Sequence, residues 1–223
     1  MKVIGSAIED KEFSNYLKLN YLKAKENKKM LMEALLQHYG YSTHFLDVVD
    51  NHWVALWFGL NRYQEIHHSK KNCQYCFYEK RTIVPVELAN GTMSLDQDVY
   101  QYLILVAVDN NAAPVEKGII IGNDIITIDL RSSLPSYFLR PHTQHGLVIR
   151  RNRHEPQADY DLSRNVVAIA RLRIDRVSGW LGDGVLLSND NLFPSPAYDY
   201  GYEILLNRKD LFENYYHRIA NYI

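Results

Sequence analysis

Apolar positions in the first forty residues recur at helical spacing. Phe13, Tyr16, Leu17 and Ala24 form one stripe with Lys and Glu on the other faces, and Met30, Ala34, Leu35 and His38 carry it into a second helix. Gly40 ends that helix, because a residue without a Cβ adopts the left-handed conformation that closes helix C-termini. Asp50 or Asn51 supplies the oxygen cap for a further helix, Trp53 to Leu60. That segment is apolar on nearly every side and is expected inside the core.

Strand patterns follow. Tyr102 to Val108 is a continuous apolar run of strand length, the mark of a buried central strand. Gly118 to Ile121 and Ile125 to Leu130 read as a hairpin across Gly122-Asn123-Asp124, and Gly146 to Ile149 as a short strand. Val166, Ala168, Ala170, Leu172 and Ile174 alternate with Arg171 and Arg173 on the opposite face. Gly182-Asp183-Gly184 reads as a turn, Phe193 to Pro196 as an irregular bend, and the tyrosine-rich stretch from Leu211 to the end as a helix. Helices come first and strands dominate later without regular alternation. The expected fold is therefore α+β, with N-terminal helices packed on a mixed, largely antiparallel sheet. No linker, repeat or low-complexity tract divides the chain, so residues 1–223 read as a single domain.

Charge narrows the functional classes. The formal net charge is −1, without the basic excess of a general polyanion binder. Lys23 to Lys29 reads as a solvated helix end, and Arg150-Arg151-Asn152-Arg153 as an exposed loop. A local anion site is compatible with this balance; a broad nucleic-acid surface is not. The longest apolar run is too short to cross a bilayer, the N-terminus lacks the pattern of a secretory signal, and two cysteines make no disulfide framework. A cytoplasmic protein with reduced thiols is the expectation.

Two polar clusters stand at element boundaries. In the first, Gln37 and His38 occupy the last helical turn and Thr43 and Asp47 lie just beyond Gly40. An amide, an imidazole, a hydroxyl and a carboxylate so close in sequence suit binding of a polar ligand or proton transfer. The competing assignment is structural, with His38 capping carbonyls and Asp47 capping the next helix. In the second, Arg140, Gln144 and Gly146 precede a strand. A guanidinium grips a carboxylate or phosphate with two hydrogen bonds, and glycine permits close approach. Here the competing assignment is an arginine tying down a loop through an internal carboxylate such as Asp47. His67, His68, Cys73 and Cys76 are zinc-type ligands in a loop-like stretch, but one Cys-x-x-Cys makes a weak signal and no metal site is assigned. Phosphate-loop, dinucleotide, nucleophile-elbow and zinc-protease motifs are absent, so no cofactor and no catalytic residue is assigned.

Taken together, Gln37-His38-Tyr39-Gly40 with Thr43, Leu46 and Asp47, then Asn51, Ala55, Leu56 and Phe58, resemble the FRG domain family. So do Arg140 with Gln144-x-Gly146, Leu192-Phe193-Pro194, and Asp199-x-Gly201-Tyr202-Glu203. The likeness runs from about Lys29 to Leu206. The Phe-Arg-Gly tripeptide that names the family does not occur, and the chain reads as an N-terminally shortened form or a variant without that arginine. The resemblance implies a bacterial or phage-associated, defence-linked setting and brings no established reaction. Three functions compete: a polar cleft that binds a small anionic or nucleotide ligand, an enzyme of nucleotide or NAD chemistry of the ADP-ribosyl type, and a protein-interaction or purely structural role. The ligand-binding cleft is the expectation, lined by Gln37, His38, Thr43, Asp47, Arg140 and Gln144. It requires the two clusters, about a hundred residues apart, to meet.

Overall fold

The computed structural model describes residues 9–17, 22, 24–68, 73–82, 85–87, 93–95, 99–108, 113–152, 161–182, 184, 187–208 and 220–222. Helix α1 (Lys11–Tyr16) starts where the Asp10 side chain accepts from the Phe13 amide, and it buries Phe13. Helix α2 (Lys25–His38) buries Met30, Leu31, Ala34, Leu35 and His38. It closes at Gly40, which sits at φ +99°, and a Cβ there would meet the Ala220 side chain at 2.5 Å. Left-handed backbone and a close neighbour both demand glycine at this turn.

The chain then forms strand β1 (Leu46–Val49), where the sequence pattern suggested only a connection. Helix α3 (His52–Leu60) is capped by Asn51, whose Oδ1 accepts from the Trp53 and Val54 amides. Its Val54, Leu56, Trp57 and Leu60 are buried, whereas Trp53 is exposed, so this apolar helix is half-enclosed rather than central. Strands β2 (Asn61–His68) and β3 (Cys73–Lys80) pair antiparallel, with His68 opposite Cys73 and Glu65 opposite Cys76. His67, His68, Cys73 and Cys76 therefore stand on two paired strands, where the sequence suggested a loop. Cys76 is buried and its Sγ accepts from the Tyr63 hydroxyl at 2.9 Å.

Strands β4 (Pro85–Glu87) and β5 (Met93–Leu95) form a small separate pair. Strand β6 (Tyr100–Val106) pairs with β11 (Val166–Arg173) as a two-stranded ribbon. The sequence suggested a buried central strand here, and the structure overturns it: Tyr102 is 60% and Ile104 54% exposed. An apolar run marks two apolar faces but does not fix how many neighbours a strand has. The inner face of β6 does reach α3, where the Gln101 amide packs on Gly59 and donates to the Leu56 carbonyl at 3.5 Å.

The main sheet is antiparallel throughout, in the order β1-β10-β9-β8-β7, with β7 (Pro114–Glu116), β8 (Ile119–Ile121), β9 (Ile125–Asp129) and β10 (Gly146–Arg151). The β8–β9 hairpin turns at Gly122 to Asp124 as its sequence requires. Helix α4 (Leu130–Ser133) starts at Leu130, and α5 (Leu139–Thr143) carries Arg140. Helix α6 (Ile174–Leu181) takes over from β11 at Ile174. Glycines at positive φ, Gly182 and Gly184, mark the turn that follows. Helices α7 (Asn189–Leu192) and α8 (Tyr200–Asn207) flank the bend at Phe193 to Pro196. Strand β12 (Asn221–Tyr222) lies parallel to β3. Most of the stretch from Leu211 onward lies outside the described residues.

The fold is α+β: eight α-helices among the described residues, an antiparallel five-stranded sheet and smaller sheets. Leu31, Leu35 and Leu36 of α2 pack with Ile119, Ile128 and Val148 of the sheet and Leu205 of α8 as the principal core. No described helix is long and apolar enough to cross a membrane.

Candidate functional site

Gln37 organises the first predicted cluster. Its Oε1 accepts from the Thr43 amide at 3.0 Å and the Thr43 hydroxyl at 2.7 Å, and its Nε2 donates to Asp47 Oδ2 at 3.2 Å. One side chain at the end of α2 thus fixes the loop into β1. His38, buried, places Nδ1 at 3.9 Å from Asp47 Oδ1, whose carboxylate is half-exposed. Asp47 lies opposite Val148 and Val49 opposite Gly146, so β1 and β10 join this corner to the second cluster. Gly146 serves that junction: a Cβ there would meet the His38 imidazole at 2.6 Å. The two clusters therefore meet, and His38 is the point of contact.

The arginine of the second cluster faces inward. Arg140 is 0% exposed, and its guanidinium carbon lies 4.4 Å from the centre of the Tyr39 ring, 4.7 Å from Tyr202, 4.2 Å from Tyr222 and 5.4 Å from Phe193. A guanidinium is weakly hydrated and planar, so ring faces replace part of its water. Its Nη1 donates to the His38 carbonyl at 3.4 Å, whereas Nε and Nη2 have no hydrogen-bond partner among the described residues. The carboxylate that serves this interior is Asp199, not Asp47. Asp199 Oδ2 accepts from the Arg140 amide at 3.1 Å and the Tyr39 hydroxyl at 2.6 Å, and Oδ1 caps α8 at the Tyr202 amide. Burial, together with the Asp199 charge, pushes the Tyr39 hydroxyl well above its usual range, so Tyr39 remains the donor. Gln144 is interior too, its Nε2 donating to the Leu192 carbonyl at 2.7 Å. Tyr78 stacks on Phe193 at 4.9 Å and Phe193 on Tyr222 at 4.7 Å, extending the aromatic column. Burial, reinforced by the Asp47 charge, pushes the Tyr78 hydroxyl up to about 12.

A concave site opens on the other side of this corner. Thr43, His44, Phe45 and Leu46, with Arg150, Arg151, Asp161 and Leu162, line about 460 Å³. The two arginines belong to β10, not to an exposed loop, and each is largely covered. Arg150 lies 4.8 Å over the Phe45 ring and 3.6 Å from Glu33 Oε2. Arg151 donates to Asn165 Oδ1 at 3.3 Å and stands 3.9 Å from Asp124. Both Nε atoms are buried without a hydrogen-bond partner among the described residues. Buried donors in folded proteins are nearly always satisfied, so two on adjacent residues are an unusual pairing, although neither Nε is itself open to the pocket.

A third polar group, at the opposite end of the β1–β10 ladder, is one the sequence did not reveal. Arg131 grips Asp50 with two hydrogen bonds of 3.1 and 2.7 Å and Asp129 with two of 3.0 Å. His145, at φ +52°, lies against both: its Nδ1 is 3.2 Å from Asp50 Oδ1 and 3.3 Å from Arg131 Nη1. The Oδ1 of Asn51 is committed to two helix amides, so its Nδ2 donates to His145 Nε2 at 3.3 Å. That leaves the imidazole proton on Nδ1, facing Asp50. Burial raises the Asp129 carboxyl, but the hydrogen bonds and charge of Arg131 outweigh it and hold the group below its usual range. Hydrogen bonding from Arg208 does the same for Asp10.

Those two carboxyls give the fold a defined acid response. Their folded values lie below their unfolded ones, so the unfolded chain binds more protons as pH falls. Their contribution is complete above about pH 4 and disappears as pH drops through the lower folded values. The urea midpoint is expected to fall on acidification from about pH 5 to about pH 3. In Arg131→Met that fall is expected to be shallower, since the Asp129 share is gone. Identical pH profiles for the two proteins would contradict this assignment.

Residues 4–68 match the FRG domain. The matched FRG segment carries the described parts of α1, α2, β1, α3 and β2, and with them Gln37, His38, Thr43 and Asp47. It takes in less than half of the chain, and Arg140, Gln144 and Asp199 lie beyond it. No curated protein and no solved structure matches the chain. Arg150 and Arg151 were visible in the sequence as a basic run, but nothing in that run signalled a strand. Asp199 was visible as part of the family resemblance, without a role. The aromatic cage had no local signal, since Tyr39, Phe193, Tyr202 and Tyr222 converge from distant segments.

Proposed function

We propose that this FRG-domain protein binds a small anionic ligand in the pocket between Thr43–Leu46 and Arg150–Arg151, in the bacterial or phage-defence setting the family resemblance implies. The observation that carries this reading is the pair of guanidinium-bearing side chains, Arg150 and Arg151, that line this one pocket. Phosphate and carboxylate oxygens match such donors in charge and geometry. In this reading the six residues singled out in the sequence divide by role. Thr43 lines the pocket, Gln37 fixes Thr43, and His38 and Asp47 join that corner to β10. Arg140 and Gln144 hold the interior against which the corner rests.

The test is a thermal-shift panel of phosphate, NAD, ADP-ribose, ATP and GTP on the wild type and on Arg151→Gln. At least one anion is expected to raise the melting temperature, with the rise lost in a folded Arg151→Gln. If none raises it, or if Arg151→Gln responds like the wild type, the reading fails.

A further inference from the structure

The pocket holds more than cations, and its other groups say what kind of anion it takes. Asp161 lines the same pocket as Arg150 and Arg151. Its Oδ1 accepts from the Ser163 amide at 2.8 Å and its Oδ2 from the Ser163 hydroxyl at 2.7 Å. These bonds, the amide first and then the hydroxyl, hold the carboxyl below its usual range and point it in a fixed direction. Each carboxylate oxygen accepts more than one hydrogen bond, so Asp161 keeps acceptor capacity beyond Ser163. Glu33 lies beneath Arg150 and Asp124 beyond Arg151. Three carboxylates near two guanidinium groups leave little attraction for a bare anion. A ligand that also offers hydroxyl donors turns Asp161 from a repulsive group into a partner.

Size and apolar lining point the same way. About 460 Å³ is the volume of a site for an organic molecule rather than an inorganic ion. Leu46 is exposed and Leu162 partly so, and both line the same space. Thr43 is held with its hydroxyl donating to Gln37 and accepting from the Phe45 amide.

Resting on the anion-binding reading, we propose that the ligand is a ribosyl phosphate: phosphate on the guanidinium groups of Arg150 and Arg151, and a sugar hydroxyl pair on Asp161. A carboxylate accepting from ribose hydroxyls is a recurrent way to recognise that sugar. Such a group comes either as a free sugar phosphate or as a nucleotide, whose base would lie along Leu46 and Leu162.

The experiment is isothermal titration of the full chain with inorganic phosphate, ribose 5-phosphate, AMP and 2′,3′-dideoxy-AMP, repeated with Asp161→Ala and Arg151→Gln. AMP is expected to bind about tenfold tighter than the dideoxy analogue, the loss of one or two hydrogen bonds in an open site. That ratio is expected to collapse towards one in Asp161→Ala, and all binding to weaken in Arg151→Gln. Ribose 5-phosphate matching AMP makes the free sugar phosphate the ligand class; AMP binding tighter makes it the nucleotide. Equal binding of AMP and its dideoxy analogue, still dependent on Arg151, overturns the ribosyl inference and leaves the anion reading standing. No binding of any of the four, with a thermal-shift response to another anion, also overturns it. No response to any anion overturns both. Thermal melts of the two variants confirm that each is folded.

Discussion

Replacing Arg140 with alanine is expected to destabilise the protein by about 3–5 kcal/mol, the scale of removing a large buried side chain from a packed core. The reason lies in what surrounds it. Four aromatic rings converge on the guanidinium, and the side chain has no exposed surface. Alanine leaves the ring faces without a partner and the His38 carbonyl without its donor. Arg140→Met separates volume from charge. It fills much of the same space, and replacing a buried ion with an apolar side chain is often near neutral. The methionine variant is therefore expected to lose less than half of what alanine loses. Urea denaturation of both variants measures this, and ligand response in the methionine variant gives a second reading. A folded Arg140→Met that no longer responds to any anion would move Arg140 from the scaffold to the site.

Asp199→Ala is expected to cost about 4 kcal/mol, from a lost helix cap and two buried donors left without an acceptor. Asp199 caps α8, receives the Tyr39 hydroxyl and receives the Arg140 amide, all in the interior. It is also the carboxylate in direct contact with the Arg140 segment, so its removal leaves a buried cation further from any negative charge. Asp199→Asn keeps an acceptor oxygen and is expected to fall between wild type and alanine. A loss under about 1 kcal/mol for Asp199→Ala, by the same denaturation measurement, would mean that water replaces the carboxylate and that the hub is not needed.

The contrast between the two arginine sites explains why the candidate pocket shifted. Sequence favoured Arg140 as the anion ligand because its guanidinium can grip a carboxylate or phosphate with two hydrogen bonds, close to Gln144 and Gly146. It gave Arg150 and Arg151 to a loop because charges in a row usually mark solvent. The tertiary structure reverses their surroundings. Arg140 is enclosed by residues 39, 193, 202 and 222, none of them its sequence neighbours. Arg150 and Arg151 end a strand whose partners, β1 and β9, place the Thr43–Leu46 loop opposite them. A residue type carries its chemistry in the sequence; its access to a ligand is set by what packs over it.

The two clusters did come together as their composition suggested, though through another atom set. His38, not Arg140, makes the junction: its ring meets Gly146, its Nδ1 faces Asp47, and its carbonyl takes Arg140 Nη1. Gln37 binding Thr43 and Asp47 was legible, since all three lie within eleven residues around a glycine turn. The Arg131, Asp50 and His145 group was not, because its members sit 81 and 95 residues apart and are joined only by the pairing of β1, β10 and β9.

By itself the sequence determined the local elements: the helix ending at Gly40, a cap at Asp50 or Asn51, the β8–β9 hairpin and the strand at β11. Each depends on backbone sterics, capping oxygens or side-chain period, which act over a few neighbouring residues. The tertiary structure alone decided that β6 lies in an exposed ribbon, that Leu46–Val49 is a strand, that Arg140 is caged, and that Arg150 and Arg151 face a pocket. Those outcomes depend on which surfaces are left to cover one another once the elements form. That is a property of the whole packing and is written at no single position.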